Sequence, residues 1–97
     1  MSTIDSQTLV VRSDKLLYSN VDGDVTMMSV ETGKYYSLKD VGARIWSLLD
    51  RPMSAEQMVA RLMQEYRVER ARCETDVLNV FKRMADEGVV TVAGPQP

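Results

Sequence analysis

The stretch Lys34-Tyr35-Tyr36-Ser37-Leu38-Lys39-Asp40-Val41-Gly42-Ala43-Arg44-Ile45-Trp46 changes its period in the middle, and that change decides the fold. Residues 34–38 follow the turn sequence Glu31-Thr32-Gly33-Lys34, whose glycine suits αL geometry, and their aromatic content predicts a short strand. From Asp40 onward Val41, Ile45, Leu48 and Leu49 recur at helical spacing. Asp40 is placed to cap the helix, and Pro52 lies just beyond its end. A sheet therefore ends, and a helical unit begins, inside this one stretch.

Upstream, Thr8–Arg12 and Leu16–Val21 are rich in β-favouring residues. Asp22-Gly23 offers the positive φ angles of a tight hairpin, with residues 25–30 returning as a strand, so the front half reads as an antiparallel meander. Downstream, Ser54 and Gln57 form a capping-box pair ahead of the apolar stripe Met58, Val59, Leu62, Met63 and Tyr66. Residues 70–87 carry Val77, Val80, Phe81 and Met84 on one side, and Gly88 stands where a C′ glycine belongs. The predicted class is α+β: a winged helix-turn-helix-like domain with a three-stranded antiparallel sheet followed by three helices. Residues 8–92 form the expected domain, with flexible ends at residues 1–7 and 93–97.

Composition narrows the function. A chain of 97 residues supports one core. It contains no histidine, which removes the commonest general base, the usual partner of a nucleophilic serine or cysteine, and the usual zinc ligand, so an enzyme is not expected. A net charge of -2 supplies no global field for polyphosphate, so nucleic acid is not expected as a partner. No apolar run approaches membrane-spanning length and no signal peptide is legible, so neither membrane nor secretion is indicated. The lone Cys73 cannot form an internal disulfide, which suits the reducing cytoplasm. No metal or cofactor site is read: Asp22, Asp24 and Glu31 lack the spacing of a calcium loop and read as solvated turn residues.

Two surfaces stand out as candidates, each beside a plainer reading. Lys34, Tyr35, Tyr36, Ser37 and Leu38 follow the last turn of the meander, so they are expected at a sheet edge with one row of backbone groups unpaired, a template for an added strand. Equally they are ordinary strand residues, and a free edge also permits pairing between two copies of the chain. On the third helix the apolar positions span an arc of roughly 160°, wider than the roughly 100° that one core requires. Its flank of Cys73, Asp76, Val80 and Arg83 suits a groove wall, although a wide stripe is also what deeper burial produces. Cys73 sits near a helix start, whose dipole lowers a thiol pKa, but without a partner base it reads better as a small buried hydrophobe. Met27, Met28, Met53, Met58 and Met63 read as core fillers more readily than as an adaptable surface, and Trp46 lies off the main stripe of its helix.

Several blocks carry a resemblance. These are Tyr36-Ser37-Leu38, then Val41-Gly42-Ala43-Arg44-Ile45-Trp46 with Leu48-Leu49, then Met58-Val59 with Leu62 and Tyr66, and finally Asp76-Val77 with Phe81, Met84 and Gly88-Val89-Val90. Together they resemble the PqqD-like family, the RiPP precursor-peptide recognition elements, and the segment around Glu31 to Tyr36 is similar to the stand-alone members of lasso-peptide pathways. The resemblance implies a domain that performs no chemistry. It would bind the leader segment of a ribosomally made precursor as an added strand between the third strand of the sheet and the third helix, and hold it for a separate leader protease, cyclase or radical enzyme. Carried over by position, Tyr35, Tyr36, Ser37 and Leu38 would supply the ladder, and Asp76, Val80, Arg83 and Met84 the opposite wall. Arg70 stands where many relatives have proline, which weakens the start of the third helix. The competing reading from another class is a winged-helix DNA-binding regulator, against which the third helix sets Arg70, Arg72, Lys82 and Arg83 against Glu74, Asp76, Asp86 and Glu87.

Overall fold

The computed structural model describes residues 4–95. Five strands and three helices follow in the order β1 (Thr8–Arg12), β2 (Leu16–Val21), β3 (Asp24–Ser29), β4 (Tyr35–Leu38), α1 (Asp40–Leu48), α2 (Ala55–Glu65), α3 (Arg70–Asp86) and β5 (Val90–Pro95). The three-stranded meander is β2-β3-β4, with β4 at one edge and β2 at the other. Its first turn is the Asp22-Gly23 hairpin, with φ of 53° and 86°, and Gly33 in the second turn has φ of 73°.

Two elements differ from the sequence reading. The strand Thr8–Arg12 does not join the meander but pairs antiparallel with β5, from Thr8 opposite Pro95 to Arg12 opposite Val90. This ladder runs through Ala93 into the segment read as a flexible tail, and Ile4 is buried in the core although it lies in the segment read as a flexible start. The rest of those terminal segments, residues 1–3 and 96–97, lies outside the described residues. At the start of α1, Lys39 is the N-cap, while Asp40 takes the left-handed conformation with φ of 53° and makes no capping bond. Short acidic side chains tolerate that conformation better than most, so Asp40 serves here as a backbone corner between sheet and helix.

The helix boundaries elsewhere follow their local chemistry. Gln57 N–H donates to Ser54 Oγ at 3.2 Å and Ser54 N–H donates to Gln57 Oε1 at 3.0 Å, so the capping box forms. At the end of α3, Val89 N–H donates to the Met84 carbonyl at 2.8 Å and Gly88 N–H to the Ala85 carbonyl at 3.1 Å, with Gly88 at φ of 76°. That pattern is a Schellman motif, with Val89 and Met84 both buried beside it, and it turns the chain into β5. The acidic end of α3 is eased by Arg83, which lies 3.8 Å from Glu87.

The core joins both sheets to the helices through Val10, Val90, Met27, Trp46, Ile45, Met58 and Phe81. Met27, Met53 and Met58 are buried fillers, whereas Met63 is exposed. Trp46 is fully buried despite its place off the helical stripe, because Tyr18 packs edge-on against it at 4.4 Å and the Arg12 guanidinium stacks over its ring at 4.0 Å. The same guanidinium donates to the carbonyls of Trp46 and Ser47 at 2.9 to 3.0 Å; the Trp46 carbonyl also accepts from Leu49 N–H at 3.1 Å, so it is the Ser47 carbonyl that the end of α1 would otherwise leave open. No helix among the described residues is long and apolar enough to cross a membrane.

Candidate functional site: a sheet edge leading into a helical groove

In an antiparallel pair, alternate residues turn their N–H and C=O groups toward the partner strand and the rest turn them away. Ser29 N–H donates to the Lys34 carbonyl at 2.9 Å, which makes that pair hydrogen-bonded. With Met27 opposite Tyr36 and Val25 opposite Leu38, residues 34, 36 and 38 are engaged with β3. Tyr35 and Ser37 therefore point both backbone groups at the open side of β4. Side chains alternate too: Tyr36 and Leu38 pack on the core, while Tyr35 and Ser37 are exposed, Tyr35 at 73%.

β4 passes into α1 through Lys39 alone, so the first turn of α1 adjoins the open edge. There Val41, Gly42 and Ile45 form one side of a cavity of about 580 Å³. Its other sides come from Leu62 and Tyr66 of α2, Arg67, Val68 and Glu69 of the connection, and Arg72, Cys73, Asp76, Val77 and Val80 of α3. The lining is largely apolar, with the polar side chains of Arg67, Glu69, Arg72 and Asp76 among it, the composition of a site that holds an apolar anchor and orients it. Beside the cavity, α1 and α2 are clamped by a bidentate pair in which Arg44 Nε and a terminal guanidinium nitrogen each lie 2.7 Å from a Glu65 carboxylate oxygen. The Arg44 bond holds the Glu65 carboxyl below its usual range.

The structure divides the residues singled out from the sequence. Cys73, Asp76 and Val80 line the cavity. Lys34, Tyr35, Tyr36, Ser37 and Leu38 lie at the edge strand and its entry and do not line it. Arg83 is exposed and faces Glu87, and Met84, placed on the groove wall by resemblance, is only 2% exposed and belongs to the core. Met84 anchors the Schellman turn instead, a role fixed by the direction in which Gly88 sends the chain. Sequence reasoning counted Val41, Leu62 and Tyr66 toward core stripes and passed over Val68. Val41, Tyr66 and Val68 remain substantially exposed and converge on the groove. An apolar residue in the short connection between two helices was the available signal.

Cys73 is buried, and its thiol pKa is raised by desolvation first and by the Asp76 carboxylate second, with Arg70 opposing. The expected dipolar lowering is therefore outweighed, and the thiol is a groove-lining hydrophobe. Labelling by a soluble disulfide reagent is expected to be slower at neutral pH than in the unfolded chain and to accelerate only as the solution becomes alkaline. Asp76→Asn should speed it, because the carboxylate's opposition to the thiolate is removed.

Taken together, the geometry defines a small winged-helix-like α+β domain with an open strand edge beside an apolar groove. The chain belongs to the PqqD family: the family model for coenzyme PQQ synthesis protein D matches residues 24–90. Among solved structures it is similar to TbiB1 in complex with the TbiA(beta) leader peptide, with 30% identity and a TM-score of 0.77 over 90% of this chain and 99% of that one. A lasso peptide synthetase B1 complexed with its leader peptide shares the fold at 24% identity and a TM-score of 0.72, over 84% of this chain and 96% of that one. No curated protein matches the chain.

Proposed function

We propose that this chain is a non-catalytic leader-binding protein of a lasso-peptide pathway, which captures the leader of a ribosomally made precursor and presents it to a separate maturation enzyme, a leader protease. The leader adds as a strand to β4 and sets an apolar side chain into the groove between α1 and α3. The observation that carries this reading is the outward pair Tyr35 and Ser37 on an edge strand whose chain passes through Lys39 into α1, one wall of that groove. Main-chain bonds to the edge fix register, and the groove supplies selectivity. The reading is supported by the leader-bound state of TbiB1, a relative at 30% identity. Processing of a ribosomal product places the protein in the cytoplasm.

A DNA-binding role is disfavoured by α3 itself, where Asp76 lines the groove and the basic and acidic side chains interleave without a basic stripe.

A titration of fluorescent cognate leader tests the proposal. Binding is expected near micromolar or tighter, about -8 kcal/mol, since a flexible peptide loses entropy on docking. Gly42 offers the discriminating variant, because a Cβ built there meets nothing within 4 Å. Gly42→Leu therefore projects into the open cavity. It should hold or raise the melting temperature, since glycine is a poor helix residue by about 0.5–1 kcal/mol. It should also weaken leader binding by roughly tenfold, about 1.4 kcal/mol. Unchanged affinity in a folded Gly42→Leu protein would remove the groove from the proposal.

A further inference from the structure

The face of the meander turned away from the core carries two unlike rows of side chains. Residues directly opposite each other in a ladder share a face. Leu17, Met28 and Tyr35 stand in register across β2, β3 and β4 and make one row, and Ser19, Thr26 and Ser37 make the next. The first row is apolar although it meets solvent, with Leu17 at 60% exposure and Met28 half-buried between its neighbours. The second consists of hydroxyl side chains alone, all exposed. A shallow hollow of about 330 Å³ on this face has Leu17, Ser19, Thr26, Met28 and Tyr35 in its lining. Both rows stop at the open edge of β4. Tyr35 has Met28 on one side, Ser37 has Thr26, and among the described residues neither has a strand on the other.

A strand added to β4 lengthens each row by one residue. The guest residues that come to lie opposite Tyr35 and Ser37 carry their side chains on this outer face, two apart, and the residue between them turns toward the core side. We infer that the two rows read the leader's sequence: the leader sets an aromatic or branched aliphatic side chain against Tyr35 and, two residues away, a threonine or serine against Ser37. This specificity rests on the strand addition proposed above. The chemistry follows from what each row already holds. An apolar guest covers the Tyr35 ring, whose present exposure of 73% leaves it without a neighbour on the open side, and a hydroxyl guest continues the pairing of Thr26 with Ser37. The contrast between the rows also fixes register. A slip of two residues brings the apolar guest beside Ser37 and loses the contact with Tyr35, and a slip of one turns both guest side chains to the opposite face. Tyr35 is thus a specificity-determining residue on the face opposite to the groove.

Double-mutant cycles with a fluorescein-labelled synthetic cognate leader and its single-alanine variants test the two rows. Tyr35→Ala is expected to weaken the leader about fivefold, and Tyr35→Phe, which keeps the ring, to restore it to within about twofold of the unmodified chain. One leader position, aromatic or branched aliphatic, should lose its alanine effect in the Tyr35→Ala protein. Exchanging the rows is the sharper arm. Tyr35→Ser combined with Ser37→Tyr should bind the natural leader about fivefold more weakly and recover with a leader whose two outer-face residues are exchanged. Tyr35 and Ser37 are both exposed, so thermal melts should find these variants as stable as the unmodified chain. Coupling of Tyr35 to no leader position, or to a charged one, would overturn the inference, and strand addition would stand if Ser37→Pro still prevented binding. Normal binding by Ser37→Pro would remove both together. Unchanged leader affinity in Tyr35→Ala with loss of leader-dependent cleavage would also overturn it, by assigning the apolar row to the processing enzyme.

Discussion

Ser37→Pro is expected to leave the domain folded and to weaken leader binding by about 100-fold, roughly 2.7 kcal/mol. The reason is directional. The Ser37 N–H points away from β3, so proline removes a donor that the fold does not use, while its ring occupies the place where a guest carbonyl would approach. Ser37→Ala keeps the backbone donor and should bind almost normally. Tyr36→Pro makes the opposite pattern, since the Tyr36 N–H belongs to the ladder with β3 and its side chain packs on the core. That variant should lose stability first and binding as a consequence. Isothermal titration beside thermal melts separates the cases. If Ser37→Pro and Ser37→Ala bind alike in folded protein, the leader does not pair with β4.

Trp46→Ala is expected to be the most damaging single truncation for stability, at about 3–5 kcal/mol. Trp46 is the largest fully buried side chain, and its ring packs against both Tyr18 and the Arg12 guanidinium, which also lies over the Tyr18 ring at 5.6 Å. Its loss would unseat Arg12 as well, freeing the Ser47 carbonyl that Arg12 now satisfies. In a domain of this size each kcal/mol moves the melting temperature by about 4–8 °C, so a fall of roughly 12–40 °C is expected in calorimetry. Trp46→Phe should cost much less than alanine, because the buried indole N–H has no hydrogen-bond partner to lose. A small effect of Trp46→Ala would mean that the Arg12-Trp46-Tyr18 stack does not hold the sheet to α1.

What the sequence disclosed follows from how local each signal was. The Asp22-Gly23 hairpin, the Ser54-Gln57 capping box and Gly88 at the end of α3 are decided within a few residues, and each formed as expected. The partner of β1 is a different kind of fact. It lies at the far end of the chain, and an ending of Ala-Gly-Pro-Gln-Pro gives no period by which to recognise a strand. The burial of Trp46 was hidden for a related reason, since its cover comes from Arg12 and Tyr18, on strands that no helical periodicity reports.

The candidate site was legible in part. An edge at residues 34–38 followed from the order of turns and strands, and the surplus width of α3 pointed to Cys73, Asp76 and Val80, which do line the groove. The width of a stripe cannot say which side is surplus, however. Met84 fell on the buried side, while Val41, Tyr66 and Val68 came from three different segments whose meeting is a tertiary event. Gly42 was part of a family-like block without a visible purpose, and the structure places it in the lining of the groove, where an added Cβ would meet nothing within 4 Å.

Amide hydrogen exchange followed residue by residue, with and without the cognate leader, tests strand addition most directly. Tyr36 and Leu38 should be protected in both states, because their N–H groups are bonded to β3 throughout. Tyr35 and Ser37 should exchange rapidly in the free protein and become protected by at least about tenfold when the leader is bound. Protection that rises along α3 or on β2 while Tyr35 and Ser37 stay fast would contradict strand addition at β4.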